Sequence, residues 1–196
     1  MRIAMVVTIG ALASSWVVRA GEPAIAAERV VTVCLTGGPS KSVRTPSKAM
    51  ASKMFAAIGV TLNWHEGLND CPSQGILLNL TEETPAALFP GALGYSLPYE
   101  GSHVRLFYDR IAQDRPPILV PALLAHVMVH EITHMLEGIS EHSAQGIMKA
   151  RWSQDDFSCM IVKPLPFSDR DVDMIYRGLT ARTSRFQVAA ELSARR

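Results

Sequence analysis

The sequence predicts one α+β domain in which helices pack on a β-sheet. Strand-like and helix-like segments alternate through the first half of the chain, and a long apolar helix pattern follows them. The composition fits: 48% of the 196 residues are hydrophobic and 19% are charged, which supplies apolar surface for a single core at this length. With 19 basic and 18 acidic side chains the net charge is +1, which excludes the broad basic footprint that a phosphate backbone requires. Nucleic acid is therefore not an expected partner, and so apolar a chain is no disordered polyelectrolyte.

Residues 1–20 stand apart. Arg2 gives a minimal basic start, the 16 residues from Ile3 to Val18 carry no charge, and Val18-Arg19-Ala20 offers a cleavage site, with a second at Ala24-Ile25-Ala26. This reads as a secretory signal. The run falls short of the roughly 20 residues needed to span a bilayer, so an uncleaved anchor is the lesser alternative. The apolar stretch from Pro117 to Val129 is broken by Pro121 and His126, and no other membrane segment is expected. Residues 21–196 are then a single mature domain, secreted or periplasmic, with no membrane contact after signal removal. Losing Arg2 and Arg19 and no acid leaves 17 basic and 18 acidic groups, a net of −1. An exported chain meets oxidant, and among Cys34, Cys71 and Cys159 three pairings are open. Cys71, in the loop-like Asn69-Asp70-Cys71-Pro72, is the preferred bridge former; Cys34 reads as a small core residue.

Along the mature chain, the β-branched run Val30 to Leu35 predicts a buried strand, followed by a loop at Gly37 to Ser40. Thr45-Pro46 supplies an N-cap and a first-turn proline for a helix carrying Met50, Met54 and Ile58 at helical spacing, stopped by Gly59. Val60, Leu62 and Trp64 alternate as in a half-buried strand, and Ile76 to Leu80 gives another. Leu93 to Leu97 and His103 to Tyr108 add two short strands around a Pro/Gly loop, the first a candidate sheet edge. A long helix is expected from about Pro121 to Glu137, ended by Gly138. Beyond Trp152 the chain reads as loop until Ser168, where Ser168 to Asp171 resembles a capping box for a C-terminal helix. The tail, residues 182–196, reads as solvated helix or frayed end.

His130-Glu131-Ile132-Thr133-His134 is the most informative string. Residues four apart on a helix differ by about 40° in direction and about 6 Å along the axis, so two imidazoles can converge on one metal ion. Glu131 lies about 60° from His134, beside such an ion rather than on it, where it can take a proton from water. Leu124, Met128, Ile132 and Met135 form a core stripe on the far face, with Leu123 and Val127 walling the histidine side, so the helix is expected to be amphipathic. His126 stands a further turn back, about 12 Å from His134, too far to share an ion held at about 2.1 Å from each nitrogen; a supporting role is expected for it. His65 and His103 have no partner spacing and read as structural. Asp155-Asp156 reads as a solvated pair, with orientation of a ligand histidine as the alternative.

From residue 121 to 152 the chain resembles the metzincin group of zinc metallopeptidases, whose pattern is two helical histidines with a glutamate, a glycine turn, a third histidine and a methionine turn. His142-Ser143, Gly146-Ile147-Met148 and Trp152 look most like small secreted bacterial members of that group. Gly91 to Asp109 resembles, more loosely, the edge strand and its neighbour in front of the metal. The resemblance implies a zincin-like fold: a mixed twisted sheet with a backing helix and an active-site helix over residues 21–138, and a small C-terminal subdomain with a methionine turn and terminal helix over residues 139–196. It implies one catalytic Zn2+ held by His130, His134 and His142, Glu131 as general base and Met148 in the methionine turn. The spacing departs from the family, whose glycine and third histidine lie three and six residues after the second histidine; here Gly138 and His142 lie four and eight after it. That leaves Glu141 and Glu137 open as competing third ligands.

The expected activity is a zinc-dependent endopeptidase acting on a peptide or protein substrate, with water activated by the metal and Glu131 as its base. Tyr95, Tyr108 and Tyr176 are all open as oxyanion donors. The alternatives are a peptidase-derived protein that binds metal without catalysis, and a zinc hydrolase of non-peptide amides. Substrate preference and oligomeric state are not encoded in any of these features.

Overall fold

A computed structural model describes residues 29–194; the signal segment expected at residues 1–20 lies outside the described residues. Five strands, β1 (Arg29–Gly37), β2 (Val60–Glu66), β3 (Ile76–Thr81), β4 (Gly94–Ser96) and β5 (His103–Phe107), form one sheet in the order β2-β1-β3-β5-β4. The first four in that order run parallel, and β4 is antiparallel to β5 at the edge. The helices are α1 (Lys41–Ala56), α2 (Tyr108–Ala112), α3 (Leu119–Glu137), α4 (Gln154–Val162) and α5 (Asp169–Ala194). This is the expected mixed α+β architecture.

Alternation along the strands decides which face is buried. Val33 stands opposite Ile76 and Leu35 opposite Leu78; Leu78 in turn faces Val104, and Leu80 faces Leu106. Side by side, these make an apolar layer that packs with residues of α1 and α3 in one core. On the other face Thr36 accepts a hydrogen bond from Asn79 at 2.9 Å, and the loop after β2 is tied down by a disulfide between Cys34 and Cys71. Cys71 is bridged as expected. Cys34 is buried as expected but is not a free core thiol, because its side chain points away from the helices, toward that loop. Cys159 is free and exposed.

Several boundaries differ from the sequence expectation. α1 begins at Lys41, with the Ser40 carbonyl accepting the Val43 and Arg44 amides at 3.1 Å, so Pro46 sits inside the helix instead of at its start. The stretch after Trp152 is not all loop: Ser153 and Asp156 form a reciprocal capping box that starts α4. Asp156 also pairs with Lys149, so it is neither a solvated acid nor a support for a histidine. The α5 start is the predicted capping box, with the Asp171 carboxylate accepting the Ser168 amide at 2.8 Å and the Ser168 hydroxyl accepting the Asp171 amide at 3.2 Å. Arg182 is not solvated tail: it is buried and donates to the Gly101 and Gln74 carbonyls at 2.7 and 3.0 Å.

α3 departs most from its expected character. It is not amphipathic; from Ala122 to Leu136 every residue is buried, enclosed by the sheet and by α1, α4 and α5, the histidines and Glu131 included. Its 19 residues are long and apolar enough to cross a membrane, and 94% of that stretch is buried inside the fold, which makes it a core helix. Pro121 is tolerated because it stands in the first turn, where its missing N–H has no intrahelical partner. Gly138 ends the helix with φ 73° and donates its amide to the His134 carbonyl at 2.9 Å.

Candidate metal centre

His130 and His134 project from adjacent turns of α3 into a cleft of about 730 Å3 beside β4. Each commits one ring nitrogen to a backbone carbonyl: His130 Nδ1 donates to Ile147 O at 2.9 Å, and His134 Nδ1 donates to Ile139 O at 3.0 Å. Because only an N–H can face a carbonyl, the remaining Nε2 atoms are lone-pair acceptors. These two acceptors lie 3.1 Å apart. His142 returns from the turn after Gly138, with its ring centroid 5.2 Å from that of His130 and 4.9 Å from that of His134. One nitrogen from each of the three rings falls within 4.8 Å of the others.

Burial holds the helical pair neutral, pushing His130 down to about 3, with the His134 charge adding to the effect, and His134 down to about 4, with His142 adding. Neutral imidazoles with both Nδ1 atoms occupied, their two Nε2 lone pairs facing and a nitrogen of a third ring within 4.8 Å form a donor set for a divalent cation of borderline softness. No hydrogen bond can join two acceptors, so a shared cation satisfies what the fold leaves facing. The residues therefore fit zinc.

Of the other candidate ligands, Glu141 is exposed and paired with Arg170 at 2.9 Å, and Glu137 lies outside the cluster. Glu131 is buried beside the histidines and lines the cleft. Burial raises its carboxyl to about 7, and a hydrogen bond with Ser96 on β4 works against that rise. His126 has no lone pair to spare: its Nδ1 donates to Ala122 O at 2.7 Å and its Nε2 accepts the Leu165 amide at 3.1 Å. Tyr95 lines the cleft, whereas the Tyr176 hydroxyl donates to Ile58 O at 2.5 Å and Tyr108 is not among the cleft residues. His65 and His103 are neither in the three-histidine cluster nor among the residues that line the cleft.

Several supports were invisible to motif reading. The Ile147 amide donates to Pro166 O at 2.9 Å, so the turn whose carbonyl orients His130 is itself held by the segment that His126 anchors through Leu165. Met148 is buried in that turn, and its carbonyl accepts the Ser143 amide at 2.8 Å. The Ser143 hydroxyl donates to Asp171 at 2.5 Å, tying the neighbour of His142 to the start of α5. Above β4, the Arg110 guanidinium donates to the carbonyls of Pro85, Leu88, Phe89 and Ala92 at 2.7 to 3.0 Å, folding the loop that forms the upper rim. The sequence had pointed to Ser143 and Met148 through the family resemblance and to Asp171 through its cap with Ser168, and to none of the other supports.

The sequence matches no protein-family model and no curated protein. In three dimensions the chain superposes on archaemetzincin from Methanopyrus kandleri with a TM-score of 0.55 and 15% identity, covering 79% of this chain and 98% of that one. The fold is archaemetzincin-like. Myroilysin also aligns, over 74% of this chain and 66% of its own, at 19% identity and a TM-score of 0.36.

Proposed function

We propose that this chain is a secreted or periplasmic zinc metallopeptidase that hydrolyses peptide bonds of a peptide or protein substrate. The observation that carries the reading is the pair of Nε2 atoms on His130 and His134, unprotonated and 3.1 Å apart, with His142 closing the group. His130, His134 and His142 would hold one zinc ion, with Met148 in the methionine turn. When bound, zinc polarises a carbonyl and lowers the pKa of water. Glu131 takes a proton from the attacking water as its oxygen bonds to the carbonyl carbon. It then returns that proton to the leaving nitrogen as the C–N bond breaks, giving a carboxylic acid and an amine. The β4 edge favours a peptide over a small amide, because an extended chain can pair with its free side and lie across the cleft. A buried carboxylate in the cleft favours catalysis over mere metal retention, since a structural site has no use for a base. The Cys34–Cys71 bridge is compatible with an oxidising compartment.

The test is hydrolysis of a denatured protein mixture by the zinc-loaded protein, with and without chelator. Glu131→Gln is expected to keep stoichiometric zinc and lose at least about a hundredfold in rate. His142→Ala is expected to weaken zinc binding. Full hydrolysis by zinc-loaded Glu131→Gln would sink the mechanism, and unchanged zinc affinity in His142→Ala would remove the third ligand.

A further inference from the structure

The cleft has a one-sided charge pattern. Arg115, Lys149 and Arg151 line it, and the acid among its lining residues is Glu131, buried next to the histidines. Lys149 is neutralised by Asp156. Arg115 and Arg151 form no salt bridge among the described residues. Arg115 is half-buried and its guanidinium lies 4.5 Å over the Phe157 ring, a cation–π contact that holds it at the cleft wall. Phe157 and Trp152 supply the apolar part of that wall.

Resting on the peptidase reading, we propose that this end of the cleft is a subsite for an acidic side chain of the substrate peptide. Phe157 and Trp152 pack the methylenes of an aspartate or glutamate, and Arg115 and Arg151 receive its carboxylate. A planar guanidinium held on an aromatic face matches a carboxylate in geometry as well as charge, and the hydrogen bonds formed are charge-assisted. The same two cations repel a lysine or arginine at that position, so the subsite selects by exclusion as well as attraction. Arg110, also near the cleft, takes no part, because its donors are spent on four carbonyls.

Binding separates this subsite from the hydrolysis it serves. Acetylated and amidated alanine hexapeptides carrying a single Glu, Gln or Lys are titrated calorimetrically into zinc-loaded Glu131→Gln protein. The Glu peptide is expected to bind about tenfold tighter than the Gln peptide, with Lys weakest. Arg115→Gln with Arg151→Gln is expected to bring Glu down to the level of Gln, whereas Lys at both positions preserves the order. Arg151→Gln alone, at an exposed position, is expected to remove part of the preference without touching the wall. Equal binding of the Glu and Gln peptides, or a preference that survives the double Gln change, overturns the subsite. An all-alanine hexapeptide with a free C-terminus that matches the Glu peptide overturns its assignment to a side chain. If the wild type hydrolyses Glu and Gln peptides indifferently, the subsite fails and the peptidase stands. Arginine-dependent binding of the Glu peptide with no hydrolysis of any peptide leaves the subsite standing and sinks the peptidase.

Discussion

His126 and His130 stand one turn apart on the same helix and do opposite work. His126 spends both ring nitrogens on backbone groups, and His130 spends one and keeps the other for the cleft. The sequence separated them in advance: a rigid helix cannot bring both His126 and His134, two turns apart, to one ion, and Glu131 stands between His130 and His134. The convergence of His130, His134 and His142 and the proximity of Glu131 were likewise legible, since each is a side chain at a fixed angular offset or after a helix-ending glycine. Ile147 and Ile139 were not, because they act through carbonyls that any residue possesses. Glu137 supplies a prediction at this scale. Burial first, and then the Asp171 charge, raise its carboxyl to about 7, with Arg170 opposing and Glu141 adding. One of its oxygens is buried with no hydrogen-bond partner among the described residues. Between its ordinary 4.5 and about 7 the folded protein keeps a proton that the unfolded chain has released, so this contribution to stability is full below about 4.5 and lost as pH rises through about 7. Urea titrations across that window are expected to show a falling midpoint in the wild type and a flatter profile in Glu137→Gln; identical slopes would refute the assignment.

At the scale of elements, the strands and the two long helices were legible because their apolar residues repeat with a clear period. α4 was not. It spans nine residues with one fully buried side chain, Met160, so its periodicity is weak, and its capping box from Ser153 to Asp156 is seen only in the structure. α1 began earlier than its proline suggested, since a proline can follow a first turn as well as open one. Two contacts between elements carry predictions. Gly178 of α5 lies so close to the end of α3 that a Cβ there would collide with the Leu136 carbonyl. Alanine is normally the better helix former by about 1 kcal/mol, yet Gly178→Ala is expected to destabilise the protein by about 2 kcal/mol, because the helices must separate. A raised denaturation midpoint would show the approach to be slack. The Cys34–Cys71 bridge, with a sequence separation of 37 residues, is expected to contribute about 3 to 4 kcal/mol by restricting the unfolded chain. Comparing denaturation of the wild type with Cys34→Ala/Cys71→Ala measures it, and equal stabilities would show the loop to be held by other contacts.

For the whole molecule, the order of strands was beyond sequence reading. Alternation tells which residues face the core but not that β1 pairs with both β2 and β3, or that β5 separates β3 from β4. The composition nevertheless bounded the answer, since one core holds strands and helices alike. The converging nitrogens belong to separate parts of that body, two on α3 and one on the following turn, so zinc is expected to stabilise the folded state as a ligand does. At roughly a thousandfold excess over its dissociation constant the gain is about 4 kcal/mol. Calorimetry is expected to show a lower melting temperature after chelation, restored by zinc, with the restoration much reduced in His142→Ala. A melting temperature indifferent to zinc would mean that the three rings do not share an ion.

The hydrogen bond from Ser143 to Asp171 has a consequence for the order in which the molecule is made. A chain that emerges N-terminus first releases His130 and His134 on α3, then His142, and only well afterwards the carboxylate that anchors the neighbour of that third histidine. A nascent chain halted between residues 142 and 171 holds every nitrogen of the cluster and lacks the anchor that steadies its last member. The steadying of His142 therefore waits on Asp171, and chain lengths that include the third histidine but stop short of that carboxylate carry the cluster without its anchor.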